Sequence, residues 1–368
     1  GEGFGAIPMW VADMNSPTVP TIPEAMIERA KHPAYGYFTP PDEYYDSIIS
    51  WHEKRNGVTG LTKECIGYEN GVLGGVVSAL NIFCSRGDNV LLHSPTYIGF
   101  THSLENNGYN IVHSPLVKDE NNVWRMDFED MERKIVENHI HAAIFCSPHN
   151  PCGRVWERWE LERAMELFRK HDVYVVSDEI WSDLTLEGYR HIPTQSVSED
   201  ARQRTVALYA PSKTFNLAGL QASTTIFPNA ELKAAYDGFW GGMDIHRNNA
   251  FSSVAMEAAY REGEEWLEQL LPYLSANFDY VRDFCAANIP QIKPNCPDAT
   301  YLMWLDCREL GMSNEELRDF FIHRAKLGLN EGYTFGRSLS GYMRLNAVCP
   351  RATLEEAMAR LKSAIDTL

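Results

Sequence analysis

Lys213 lies in Ala210-Pro211-Ser212-Lys213-Thr214-Phe215-Asn216-Leu217-Ala218-Gly219, directly after the apolar run Val206-Ala207-Leu208-Tyr209. Proline ends a central strand, so the lysine is predicted on the turn beyond that strand's carboxyl end. Open α/β sheets place their ligands there. A lysine on such a turn, beside a small hydroxyl residue, could hold a carbonyl cofactor as a Schiff base once burial lowers its pKa. The alternative is a solvated surface lysine, and other residues must decide between them.

Two more apolar runs end in chemistry-bearing turns. Ser147-Pro148-His149-Asn150-Pro151-Cys152-Gly153 follows residues 142 to 146, and Asp178-Glu179-Ile180-Trp181 follows residues 173 to 177. Such turns at the carboxyl ends of neighbouring strands are what a single active-site crevice produces. Asn70-Gly71-Val72-Leu73-Gly74-Gly75 opens a helix predicted to run to about Cys84. Glycines at a helix start let backbone N–H groups approach an anion that the helix dipole favours. They would equally suit a helix packed closely on a sheet, and the spacing is neither a Walker loop nor a dinucleotide fingerprint.

The elements that must position these turns alternate along the middle of the chain. Strands are predicted at 90 to 93, 111 to 113, 142 to 146, 173 to 177 and 206 to 209, and helices near 97 to 106, 128 to 137 and 157 to 170. This rhythm implies right-handed crossovers and a largely parallel sheet covered on both faces. Residues 1 to 35, rich in proline, suit an extended arm with one short helix at 24 to 31, and a second helix is predicted at 43 to 56. Beyond Trp240 come helices at 251 to 261, 266 to 288, 314 to 326 and 353 to 366, with strands at 301 to 305 and 342 to 346. The expected division is an N-terminal arm over 1–35 packing on a small domain, a large domain over 36–265 and a small α+β domain over 266–368.

At 368 residues, 44% hydrophobic and 23% charged, the composition is that of a soluble globular protein large enough for two domains. A net charge of −17 argues against nucleic acid and anionic membrane surfaces as partners. The eight cysteines are scattered with no Cys-x-x-Cys pair, which points to reduced thiols and a cytoplasmic compartment. No apolar run reaches the roughly 18 residues of a membrane span, and no basic-then-apolar leader opens the chain. The start, Gly1-Glu2-Gly3-Phe4-Gly5, has no initiator Met, so residues are expected to precede it. The 12 histidines show no metal-ligand spacing, and no metal is expected.

In chain order, Gly71-Val72-Leu73-Gly74-Gly75, Pro95-Thr96-Tyr97, Asn150-Pro151-Cys152-Gly153, Ser177-Asp178-Glu179-Ile180, Ser212-Lys213 and Tyr342-Met343-Arg344-Leu345-Asn346 resemble a fold type I pyridoxal-phosphate enzyme over almost the whole chain. The chain is most similar to the carbon-sulfur lyase subgroup of the aminotransferase superfamily, the cystathionine β-lyases of MalY/PatB type. Met9-Trp10-Val11-Ala12-Asp13-Met14, Ser147 to Pro151, Ala210 to Leu220 and Arg344 to Arg351 carry that closer similarity. The resemblance implies an α/β fold with a mostly parallel, seven-stranded type of sheet, pyridoxal 5'-phosphate as cofactor and an amino-acid substrate.

It also implies roles. Lys213 would bind the cofactor covalently and then act as base on the substrate Cα proton, which requires a neutral amine. Asp178 would keep the pyridine nitrogen protonated, Asn150 would hydrogen-bond the ring's phenolic oxygen, and Tyr97 would stack on the ring. Gly71, Val72 and Leu73 with the Ser212 hydroxyl would hold the phosphate. Tyr37 matches a tyrosine that reaches the phosphate from a partner subunit, which implies a homodimer with shared sites. Arg344 would clamp the substrate carboxylate, with Asn150 and Ala12 beside it. The sequence departs from the wider aminotransferase pattern at Ala210, Gln221 and Trp181, where many members carry serine, arginine and tyrosine. The expected reaction is β-elimination from cystathionine or a related S-substituted cysteine, giving thiol, ammonia and pyruvate. Amino transfer with the same residues is the alternative, and a MalY-like regulator-binding role is a third reading.

Overall fold

The computed structural model describes residues 4–245 and 248–368. Gly1–Gly3, at the start expected to be preceded by further residues, lie outside the described residues.

The main sheet has seven strands in the order Ile66–Glu69, Ser223–Ile226, Thr205–Tyr209, Tyr174–Asp178, Ala142–Cys146, Asn89–Ser94, Asn110–Pro115. All run parallel except Ser223–Ile226, which is antiparallel to both neighbours. The Ala142–Cys146 and Thr205–Tyr209 strands are buried at every residue, because helices cover both faces. Those helices follow from their sequences. Phe128–Glu137 is capped by the Asp127 side chain on the Asp130 amide and buries Phe128, Met131 and Ile135 along one stripe. Arg158–Lys170 starts from a capping box between Glu157 and Glu160.

The mostly parallel sheet is the one the resemblance implied, and three of its strands end at the turns carrying Asn150, Asp178 and Lys213. Two of its strands escaped the sequence pattern. Ser223–Ile226 reads Ser-Thr-Thr-Ile yet is wholly buried, so its polarity hides it, and Ile66–Glu69 has only four residues. The helix Ala230–Gly242 was also unforeseen.

A second sheet of four antiparallel strands runs Lys293–Asn295, Leu302–Asp306, Tyr342–Asn346, Asn330–Glu331. The helix expected over 314 to 326 is corrected here. Its α-helical part ends at Asp319, and Phe320–Arg324 forms a π-turn in which the Ala325 amide reaches back to Phe320 O. The wider turn lets the adjacent Phe320 and Phe321 both point into the core, their rings edge to face at 5.5 Å.

The proline-rich arm adds Ile7–Pro8 beside Leu327–Gly328 and then threads between the two sheets. Asn346 donates to Val11 O at 2.8 Å and Asp13 O at 2.6 Å, and Asn216 brackets Met14 through both backbone groups. Trp10 to Asp13 is thereby held over the Lys213 turn. No helix among the described residues is long and apolar enough to cross a membrane.

Candidate active site

One cleft of about 380 Å³ lies at the carboxyl ends of the parallel strands, between the two sheets. Lys213, Asp178, Tyr97, Asn150, Gly71, Val72, Leu73, Ser212, Trp181, Arg344 and Ala12 all line it. Tyr37 does not; it is 91% exposed, outside the cleft of its own chain. A groove of about 400 Å³ elsewhere is rimmed by Glu43, Asp46, Lys54 and Glu264 over Trp51 and Tyr260, and holds none of the residues expected at the site.

Lys213 occupies the turn after Thr205–Tyr209 and points back under the arm. Its Nζ donates to Ala12 O at 2.6 Å, and the Tyr301 hydroxyl donates to the same oxygen at 2.8 Å. Burial is the largest influence on the amine and lowers its pKa; Asp13 opposes this, Arg344 adds to it and Asp178 opposes it. The Trp181 ring lies 5.8 Å from Nζ and meets the Tyr301 ring edge to face at 4.8 Å. Trp181 is thus buried and turned to the cleft side of the core.

Asp178 ends the Tyr174–Asp178 strand and is 4% exposed. Its Oδ1 accepts the Ile180 amide at 3.1 Å. Burial raises its pKa to about 7, tempered by that amide, reinforced by Glu179 and offset by Lys213. Among the described residues no side-chain cation comes within ion-pair distance of it, so the carboxylate is poised for a positive group in the cleft.

At the far end, the helix Val72–Phe83 opens with no side-chain cap and no acidic residue in its first turn. Gly71 precedes it at φ +87° and ψ 156°, a conformation open essentially only to glycine. A Cβ there would come 2.8 Å from Gln221 Oε1. The helix start is therefore an open cradle of backbone N–H groups. Gln221, not an arginine, closes its side, and Ala210 is buried below it.

Arg344 sits in the middle of the Tyr342–Asn346 strand, 5% exposed. Its Nη1 donates to Asn150 Oδ1 at 3.1 Å and its Nη2 to Asn330 Oδ1 at 2.9 Å, while Phe335 stacks beneath the guanidinium at 4.5 Å. Nε is buried without a partner among the described residues. Burial lowers the guanidinium pKa to about 10, against the raising influence of Tyr97 and Tyr301. Tyr97 is held by the absence of a side chain at Gly99, where a Cβ would come 2.4 Å from the ring. Burial, then Asp178, pushes its phenol pKa up.

The Asn150 turn is fixed from behind. His149 Nε2 meets Pro95 O at 2.9 Å, tying it to the Tyr97 loop, and Trp304 Nε1 donates to Pro151 O at 2.6 Å. Sequence reasoning missed Asn330, Phe335 and Tyr301. Asn330 and Phe335 carry no motif, and Tyr301 was visible only as the start of a strand. Asn216 and Asn346 stood inside quoted motifs, but nothing local showed that they hold the arm.

Residues 11–361 match the aminotransferase class I and II family. The chain is 40% identical to cystathionine beta-lyase PatB of Bacillus subtilis (strain 168), over 99% of this chain and 95% of that protein. It is 32% identical to protein MalY of Escherichia coli (strain K12), over 98% of this chain and 91% of that one. Cystalysin from Treponema denticola, whose crystal structure contains a pyridoxal 5'-phosphate cofactor, superposes with a TM-score of 0.95 at 31% identity, over 99% of this chain and 92% of that chain. With a matching family over nearly its whole length and a half-buried lysine and a buried aspartate lining one cleft, the chain belongs to the aminotransferase class I and II family.

Proposed function

We propose that the chain is a pyridoxal-phosphate-dependent carbon-sulfur β-lyase that cleaves cystathionine or related S-substituted cysteines to a thiol, ammonia and pyruvate. The observation that carries it is the convergence of Lys213, Asp178 and Arg344 on one cleft. The residues fit the cofactor at three points. Asp178 is a buried carboxylate awaiting a cation, Gly71 leaves an open helix start for a phosphate, and the Lys213 amine, lowered by burial, is available to a carbonyl.

When bound, pyridoxal 5'-phosphate supplies a carbonyl for the substrate amine and a ring that takes up the electron pair released at Cα. The chain's own residues do the rest. Val72 and Leu73 amides and the Ser212 hydroxyl would hold the phosphate, Asp178 would keep the ring nitrogen protonated, Asn150 would donate to the phenolic oxygen and Tyr97 would stack on the ring. Arg344 binds the substrate α-carboxylate and so fixes which bond at Cα is broken. Lys213, whose amine burial shifts toward the neutral form beside Ala12 O, takes the Cα proton. The Cβ–S bond then breaks, the thiolate leaves and is protonated, and the three-carbon fragment hydrolyses to pyruvate and ammonia.

On this reading residues 36–265, with the seven-stranded sheet, are the cofactor-binding domain and 266–368 the smaller one; the arm expected to pack on the latter does so through Ile7–Pro8 beside Leu327–Gly328, whereas its Thr21–Lys31 helix packs against the Ala250–Glu262 helix of the larger domain. Tyr37, strongly exposed on its own chain, supports a homodimer in which it reaches the partner's phosphate. The eight cysteines are all free, which supports a cytoplasmic setting. The test is direct. Purified chain given pyridoxal phosphate should absorb near roughly 420 nm and release pyruvate and thiol from cystathionine or cysteine conjugates. Amino transfer to a keto acid without thiol release overturns the lyase reading.

A further inference from the structure

Ala12 O accepts two hydrogen bonds from groups far apart in sequence, Lys213 Nζ at 2.6 Å and Tyr301 Oη at 2.8 Å. The oxygen is held by hydrogen bonds on its flanking residues. Asn346 fixes the flanking carbonyls of Val11 and Asp13, and Asn216 fixes Met14 on both backbone groups. Tyr301 is equally fixed, fully buried with its ring against Trp181.

Two donors sharing one acceptor bring their positive hydrogens close together, and each weakens the oxygen's hold on the other. The effect is largest for a charged donor in a poorly solvated site. We propose that Tyr301 is a positioning residue for the reaction: by occupying Ala12 O together with Lys213, its hydroxyl makes that oxygen a poor partner for an ammonium and an adequate one for a neutral amine. Lys213 released from the cofactor is thereby parked as a base with its lone pair toward the cleft. The inference rests on the lyase reading, and adds to it a residue outside the expected set.

The charged groups around Lys213 come from every element packed on it. Asp13 lies in the arm, Asp178 at the end of its strand and Arg344 on the second sheet. The carboxylates favour the ammonium, whereas burial and Arg344 disfavour it. Tyr301, facing Asp13 and Arg344, adds a neutral dipole to the second group. Removing its hydroxyl leaves Ala12 O to Lys213 alone and favours the charged form.

The test reads Lys213 directly. The cofactor-free full-length chain is labelled competitively with acetic anhydride from about pH 6 to 11, and acetylation of the Lys213 peptide is followed by mass spectrometry. In Tyr301→Phe the labelling midpoint should rise by about one unit, lowering reactivity about tenfold below both midpoints. The acid limb of kcat for β-elimination should move the same way while KM stays unchanged. With 3-fluorotyrosine at position 301, a stronger donor of nearly the same size, the midpoint should fall; this arm decides the matter where Tyr301→Phe does not fold. A midpoint that ignores both replacements, or moves in the opposite directions, overturns the proposal alone. A wild-type chain that takes up no pyridoxal phosphate overturns the lyase reading and the proposal with it.

Discussion

The Arg344 guanidinium donates to Asn150 Oδ1 at 3.1 Å, joining a strand of the small antiparallel sheet to a turn of the large parallel one. The proposed carboxylate clamp and the residue proposed to face the phenolic oxygen are therefore one unit, with Asn330 and Phe335 holding the guanidinium from its other sides.

Arg344→Lys should lower kcat/KM for an S-substituted cysteine about a hundredfold to a thousandfold, roughly 3–4 kcal/mol, because lysine cannot reproduce the planar fork. Asn150→Ala should cost less, and the double variant should cost less than the two single losses combined, since each acts partly through the other. Steady-state kinetics on the three variants checks this; strict additivity would separate the two residues.

Asp178 makes stability depend on pH in the cofactor-free chain. Its pKa rises from the ordinary 3.8 to about 7 on folding, so the folded state holds its proton longer than the unfolded chain does. The associated stability is fully present below pH 3.8 and is lost as pH rises to about 7. Asp178→Asn cannot titrate and should remove that part of the slope, a difference of up to about 4 kcal/mol across the window. Denaturant unfolding of both chains at a series of pH values measures it.

Gly71→Ala should damage the cofactor site more than the fold. Alanine at φ +87° is strained by about 1–3 kcal/mol, and its Cβ would press on Gln221 Oε1. Relief of that strain shifts the first amides of the Val72–Phe83 helix. Spectroscopic titration with pyridoxal phosphate should show binding weakened about tenfold or more, with the far-ultraviolet spectrum unchanged.

A shared site makes a distinct prediction for Tyr37. Lys213→Ala should be inactive, and Tyr37→Phe should bind cofactor about tenfold more weakly, the worth of one hydrogen bond to a charged group. Mixing the two and allowing subunits to exchange should create one intact site in each hybrid dimer. At limiting cofactor, activity above that of either variant alone is the expected result. No recovery places Tyr37 outside the partner's site.

The fully legible parts of this chain were those whose cause is local. Apolar runs of four or five residues, each closed by a proline or polar turn, marked the strands that lead into the Asn150, Asp178 and Lys213 turns, because a strand buried on both faces leaves its signature in consecutive residues. The glycine at 71 and the 128–137 and 157–170 helices were local in the same sense.

What the tertiary structure decided was which distant residues meet. Ala12, Tyr301 and Lys213 share one hydrogen-bonded oxygen across separations of 201 and 289 residues, and no periodicity encodes such a meeting. Asn330 reaches Arg344 only through the pairing of their strands. The Ser223–Ile226 strand is polar in type and buried in fact, since its neighbours on both sides satisfy its backbone while helices cover its faces. Sequence alone thus set the chemistry available at each turn. Packing set the burial, and with it the pKa values of Lys213 and Asp178, because desolvation belongs to the assembled surroundings rather than to any stretch of chain.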